Sequence, residues 1–286
     1  MKNSLKALVA GTAVAATLAA VHSAHAATWS DTYVGYRYGT RFTEPANPNK
    51  IEKHVLQFTH ASGYAFGQNF LNLDILQSDR KDPARGSDSG ATEAYLTYRH
   101  QLHLGTIFDR TLAFGPVKEV ALTAGFDLNT KNTAFAPRKR MIVVGPTLKF
   151  DVPGFLDLSL LYAREWNHCG LPACGLPGNR NSISFDPYLV VSAAWGIPFE
   201  AASLPLKFQG FVNYNTAKGR DYFNVKTKPE TLMRTSLMLD LGQMAWGGKN
   251  TLWAGIGYEY WRNKFGNHGK PGVDTRAPTL QLEWHF

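Results

Sequence analysis

Few residues in this chain have the types and spacing needed for covalent chemistry. Cys169 and Cys174 flank a turn in His168-Cys169-Gly170-Leu171-Pro172-Ala173-Cys174-Gly175. An even pair this close, with Gly and Pro between, is expected to close a small disulfide loop in an oxidising compartment. His168 with both sulfurs would supply only three metal ligands, with no partner cluster elsewhere, so no metal is expected. A serine nucleophile needs a histidine within reach. Ser62 and His60 lie close on one strand, while Ser182 and Ser184 lack such a neighbour. Neither G-x-S-x-G nor H-E-x-x-H occurs, so the sequence points away from catalysis and calls for no cofactor.

The remaining candidates are charged and aromatic side chains, and what they do depends on which way their strands face them. The chain has 286 residues, 44% hydrophobic, 13% aromatic and 18% charged, too rich in rings for a disordered polymer. Lys2 and Lys6, the apolar stretch from Ala7 to Val21, and Ala24-His25-Ala26 read as a secretory signal peptide over residues 1–26. Its removal takes away two lysines and no acid, lowering the net charge from +8 to +6. Beyond it no apolar run approaches the roughly 20 residues of a spanning helix. Residues 27–286 are therefore expected to form one β domain exported by a Sec-type route.

Within that domain the dominant pattern has period two. Val34, Tyr36, Tyr38 and Phe42 alternate with Tyr33, Arg37 and Arg41. Ala94, Leu96, Tyr98 and Leu102 alternate with Glu93, Tyr95, Thr97, Arg99 and Gln101. The same pattern sets Phe185, Leu189, Val191, Ala193 and Trp195 against Asp186, Tyr188 and Ser192, and Leu252, Ala254, Ile256, Tyr258 and Tyr260 against Trp253, Glu259 and Trp261. Such alternation predicts strands with one apolar and one polar face. Long polar connections around 44–50, 78–90, 130–139, 167–181, 216–229 and 263–275 interleave with turns around 62–67, 105–116, 152–155, 196–205 and 246–250. Six loops and five turns imply 12 strands in a transmembrane antiparallel β-barrel of the bacterial outer membrane, with short periplasmic and long external connections. Aromatic residues near strand ends (Tyr36, Tyr38, Phe150, Phe155, Trp166, Trp195, Tyr258, Tyr260, Trp284) match the two interfacial girdles, and the chain ends on an alternating strand closing in Phe286.

Turning the polar phase inward gives a candidate solute-binding lumen: Tyr33, Arg37, Arg41, Asp74, Glu93, Tyr95, Arg99, Asp127, Asp186, Tyr188, Arg234, Trp253, Glu259 and Trp261. Lys53, Gln57, Glu119, Lys149, Glu165, Gln209, Asn213, Asp240 and Glu283 share that phase. Twelve strands lie between the filled eight-stranded barrel and the open 16-stranded pore, so these side chains should narrow the bore to a slot. The rings could stack on flat solutes and the carboxylates and amides could bond hydroxyls, or the same groups could simply cross-link the wall. The basic surplus (Arg80, Lys81, Arg85, Arg138 to Arg140, Lys218, Arg220, Lys226, Lys228, Lys264, Lys270) falls in external loops, where it should meet lipopolysaccharide phosphates rather than nucleic acid. His100, on the lipid phase, suggests a register slip; Arg164 can snorkel; Pro146, Pro187 and Pro278 should mark bulges or strand ends.

Leu112-Ala113-Phe114-Gly115-Pro116-Val117-Lys118-Glu119, entering a strand after a long turn, resembles the Phe-Gly-Pro-x-Lys-Glu segment of the nucleoside-specific outer-membrane channels, the Tsx-like porins. Gly39-Thr40-Arg41-Phe42 is similar to that family's opening Thr-Arg-Phe strand, and residues 92–103 resemble the strand before the Phe-Gly-Pro turn. The likeness covers roughly the first half of the chain after residue 26. It implies a narrow monomeric channel passing nucleosides by facilitated diffusion, with Arg41, Phe42, Lys118 and Glu119 as the matching motif residues.

Overall fold

The computed structural model describes residues 27–286; the expected signal peptide lies outside the described residues. The strands are β1 (Trp29–Glu44), β2 (Asn47–Tyr64), β3 (Gly67–Ser78), β4 (Thr92–His103), β5 (Val117–Lys131), β6 (Arg140–Phe150), β7 (Phe155–His168), a short β8 (Ser182–Ser184), β9 (Tyr188–Ala201), β10 (Leu204–Asn215), β11 (Glu230–Asp240), β12 (Leu252–Arg262) and β13 (Thr275–His285). All pairings are antiparallel, and β1 with β13 and β6 with β7 complete the ring. Because β8 only extends the β9 wall along the top of β7, the barrel has twelve full strands. Closure leaves no open edge, the condition for burying a β-sheet in hydrocarbon.

The outward phase is a lipid surface. Ile256 is 64% exposed, Leu280 60%, and Leu56 and Ile142 each 54%, far more bare aliphatic area than a water-facing sheet would carry. Rings bracket this band, with Tyr36, Tyr162, Tyr214 and Tyr258 toward the loop end and Trp29, Phe155, Phe208 and Trp284 toward the turn end. The chain is thus a transmembrane barrel. On its periplasmic side two helices, α1 (Leu104–Phe108) and α2 (Leu241–Trp246), shape the longer turns. Asp240 caps α2 by accepting the Gln243 N–H at 2.9 Å. The Phe-Gly-Pro segment forms a tight hairpin in which Phe114 and Val117 exchange two backbone hydrogen bonds of 2.9 Å, with Gly115 at φ 51°.

Several expectations need correction. The first external connection is not a long loop, because β1 and β2 run on to a tight turn at Pro45-Ala46. Arg41 and Phe42 exchange faces: a register shift between Gly39 and Phe42 adds one residue to β1, so Phe42 is buried inside against Ile51 and Ala277 while Arg41 is exposed. Phe185 and Asp186 exchange likewise. Trp166 pairs with Ser184 but Ala163 pairs with Tyr188, one residue out of step, and Pro187 occupies the break. Phe185 therefore packs inward and Asp186 is exposed.

His100 involves no register slip. It faces outward at the periplasmic girdle, with Nε2 3.0 Å from the Tyr64 hydroxyl and Nδ1 2.8 Å from the Asn69 side-chain oxygen, which also accepts the Tyr98 hydroxyl at 2.7 Å. A polar ring there is satisfied by neighbours on the same face. Arg164 also stays outward, donating to Ser184 Oγ at 3.1 Å. Pro146 lies where pairing between β6 and β7 is interrupted, and Pro278 lies just beyond the last β1–β13 pair, Tyr38 with Leu280. Each missing N–H thus falls at a gap in the ladder. An Ile256→Arg variant, placing a charge in the middle of the lipid band, is expected to lose about 2–4 kcal/mol of stability in urea unfolding from lipid vesicles.

Candidate functional site

The inward phase of the strands builds a bore lined by charge. Arg37 on β1, Asp74 on β3, Arg234 on β11 and Glu259 on β12 all project into it at mid-height. Arg234 Nε donates to Glu259 Oε2 at 2.7 Å, and its Nη1 reaches Asp74 Oδ2 at 3.2 Å. Arg37 Nη2 donates to the same Asp74 oxygen at 3.2 Å. Gln57 and Asn72 supply Asp74 Oδ1 at 3.2 and 2.8 Å. From β3 the ring runs through β2, β1, β13 and β12 before reaching β11, almost the opposite wall. The chain Glu259–Arg234–Asp74–Arg37 is therefore a tether across the bore. Side chains this long span a 12-stranded barrel, whereas a porin of 16 strands would hold them apart.

Beside the tether, Arg99 Nη1 donates to Asp127 Oδ1 and the Tyr95 hydroxyl to Asp127 Oδ2, both at 2.7 Å. Arg99 can lie flat because its neighbour across the strand pair is Gly125, where a Cβ would come within 2.8 Å of Arg99 Cδ. Higher up, the Tyr188 hydroxyl donates to Glu165 Oε2 at 3.0 Å. Glu93 accepts from Asn129 Nδ2 at 2.6 Å. At the periplasmic end Tyr33 lies 4.7 Å from the His285 ring, and His285 Nδ1 is 2.7 Å from Asp31 Oδ1. Lys149, Asp157 and Gln101 form a second closed cluster there.

Of the residues expected in the lumen, Tyr33, Arg37, Asp74, Glu93, Tyr95, Arg99, Asp127, Tyr188, Arg234, Trp253, Glu259 and Trp261 share the inward phase, and Arg41 and Asp186 do not. The rings are less free than the stacking idea requires. Lys207 Nζ sits 4.5 Å over the Trp253 ring, and Lys264 Nζ 4.4 Å over Trp261, whose indole N–H donates to Glu230 Oε1 at 2.6 Å. Of the motif residues, Lys118 is exposed, and Glu119 Oε1 accepts the Gly105 N–H at 3.1 Å, tying α1 to β5. Glu119 thus serves the turn.

Sequence reasoning missed the external plug. Lys218 and Lys264, read as surface cations, are 5% and 2% exposed. Lys218 Nζ lies 2.9 Å from both Glu165 oxygens. Glu44 Oε1 gathers Lys53 at 2.6 Å, Lys131 at 3.1 Å and Lys264 at 3.2 Å. Lys139 folds inward to Tyr95 and Glu165, and Asp82 to Lys131 at 2.7 Å. Four loops thus each drop one charged side chain into the mouth. The physical reason is that charges at the mouth held out of water need an opposite charge, and the loops are the nearest source. Burial pulls the Lys264 ammonium below its usual range against the opposing pull of Glu44. For Lys139 burial acts downward too, but Tyr95 and Glu165 outweigh it and hold the ammonium well above its usual range. The signal available in the sequence was the unmatched Glu44 and Glu165. Cys169 and Cys174 are bonded to each other and seal an apolar cap with Ile183, Phe185 and Tyr222, against which Phe135 and Leu171 pack; His168 turns to Ser182 instead.

No protein-family profile and no curated protein matches the chain. Among solved structures it is similar to the translocator domain of the autotransporter NalP from Neisseria meningitidis (14% identity, TM-score 0.46, covering 100% of this chain and 98% of that one). It is also similar to the NanC porin (9%, 0.43, 90% and 99%) and the KdgM porin (9%, 0.41, 89% and 99%).

Cutting the tether on either side should have opposite electrical effects. Arg234→Ala leaves Glu259 unpaired and is expected to raise single-channel conductance and shift the reversal potential in a KCl gradient toward cation preference. Asp74→Asn leaves Arg37 without its carboxylate while Arg234 keeps Glu259, so the bore gains one positive charge and should shift toward anions. Removing one member of such a buried pair also costs about 3–5 kcal/mol, visible as a lower unfolding temperature.

Proposed function

We propose that the barrel is a passive outer-membrane channel for small neutral solutes, with nucleosides as the favoured class. The observation that carries this reading is charge compensation in the bore. Asp74, Asp127, Glu165 and Glu259 each hold a cationic nitrogen at 3.2 Å or less. Such a wall presents donors and acceptors without a net field, suiting a neutral solute rich in hydroxyl and ring-nitrogen groups better than an ion. Transport by diffusion needs only sites weak enough to release what they bind.

The nucleoside assignment draws on the Phe114-Gly115-Pro116 resemblance and on the rings that line the path, Tyr33 and Tyr95 among them. Channel action is favoured over hydrolysis because His60 Nδ1 is engaged by the Thr32 hydroxyl at 2.8 Å and not by Ser62. The external plug and the tether make this a slot whose width depends on how side chains yield. Titrating adenosine or thymidine against single-channel current in a planar bilayer tests the reading. Concentration-dependent block is expected. A steady current without block would mean a general or hydrophobic-solute pore, and no current at all a structural or surface-recognition barrel.

A further inference from the structure

Of the external cations that stay outside the plug, three gather around one cleft. Between the disulfide loop and the β10–β11 loop lies a cleft of about 550 Å³, lined by Arg180, Arg220 and Lys226 among others. Its size falls within the roughly 300–1,000 Å³ typical of small-ligand sites. Among the described residues none of the three cations has an ion-pair partner. Arg220 gives one N–H to the Asn224 carbonyl at 2.6 Å, whereas the Arg180 guanidinium and the Lys226 ammonium have no partner among the described residues. The contrast with Lys139, Lys218 and Lys264, each satisfied by a buried carboxylate or carbonyl, sets this group apart. Of the two acids in the cleft, Asp221 spends Oδ1 on the Phe223 and Val225 amides at 2.9 Å, and the Asp186 carboxylate accepts no hydrogen bond from the described residues.

The position of the cleft identifies the ligand class. Ser184, on its wall, faces outward and accepts from Arg164, the arginine at the edge of the lipid band. Directly below are bare apolar side chains, Tyr162 at 50% exposure and Leu189 and Tyr214 at 44% each. An apolar wall rising into an unpaired basic cleft fits an amphiphile whose acyl chains lie on the wall and whose anionic headgroup enters the cleft. We propose that this cleft binds the phosphate of a phosphorylated glycolipid of the outer leaflet. A phosphate monoester carries about −1.5 to −2 charges at neutral pH and offers three acceptor oxygens, matching three unpaired cations. The free Asp186 carboxylate can accept a sugar hydroxyl or amide N–H beside it. Nothing in this assignment depends on which solute crosses the bore.

The full barrel in mixed micelles tests it, with retained lipid read by mass spectrometry. The probes are bis-phosphorylated lipid A, its dephosphorylated form, and inorganic phosphate as competitor. Wild type should retain the phosphorylated lipid about tenfold better than the dephosphorylated one, the size of losing roughly one charge-assisted contact. The triple variant Arg180→Gln/Arg220→Gln/Lys226→Gln should lose that preference while keeping the fast gel mobility of a folded barrel. A control on another loop, Arg80→Gln/Lys81→Gln/Arg85→Gln, should keep it. Equal retention of the two lipids by wild type, a comparison that needs no variant, would overturn the proposal. So would loss of the preference in the control, or its survival in the triple variant. Displacement of lipid A by inorganic phosphate at equal concentration would assign the cleft to free anions instead.

Discussion

In hydrocarbon an unpaired backbone N–H or C=O costs several kcal/mol, so every strand of this chain must find two partners. The β1–β13 and β6–β7 ladders meet that demand by closing the sheet, and closure then dictates everything inside. Once the ring shuts at twelve strands, alternate side chains have nowhere to go but a bore too narrow to keep opposite walls apart. Arg234 meets Asp74, 160 residues away in sequence, because the circumference allows no other arrangement.

That confinement turns a polar lining into something close to a polar core. Thr147, Asp240, Glu259 and Glu283 are each at most 3% exposed, and Thr123, Thr147 and Ser159 pass hydrogen bonds from strand to strand. Burying so many ionisable groups is tolerable only when each acid has a cation or, like Asp240, backbone N–H donors for its oxygens. Asp74, with two arginines and two amides, meets that condition most completely. On the β6–β7–β9 sector an apolar patch of Met141, Val143, Leu161, Ala163 and Val190 separates Glu165 near the mouth from the Lys149–Asp157 pair at the other end. A solute crossing the bore would meet a greasy side and a hydrogen-bonding side.

Much of this was legible before any coordinates. Period-two alternation located the strands and sorted Arg37, Asp74, Glu93, Arg99 and Glu259 to the interior, because the lipid enforces the pattern on every turn of the pleat. It failed where the pleat slips. One added residue in β1 turned Arg41 out and Phe42 in, and another before β9 did the same to Asp186 and Phe185. A bulge has no compositional mark strong enough to see, although Gly39 and Pro187 stood beside these two. Alternation was also silent about loops, so Lys218 and Lys264 looked like surface charge. Their partners, Glu165 and Glu44, are fixed by tertiary geometry alone. His100 misled in another way, since its hydrogen-bonding neighbours Asn69 and Tyr64 sit on β3 and β2, one and two strands away.

The cluster at Glu44 ties together remote parts of the polypeptide. Lys53 comes from the next strand, Lys131 from β5, and Lys264, which also donates to the Thr43 carbonyl 221 residues away in sequence, from the last external loop. No subset of early hairpins can complete it. The latch is therefore complete only when the final hairpin lies against the first strand, so the mouth's polar seal and the closure of the wall stand or fall together.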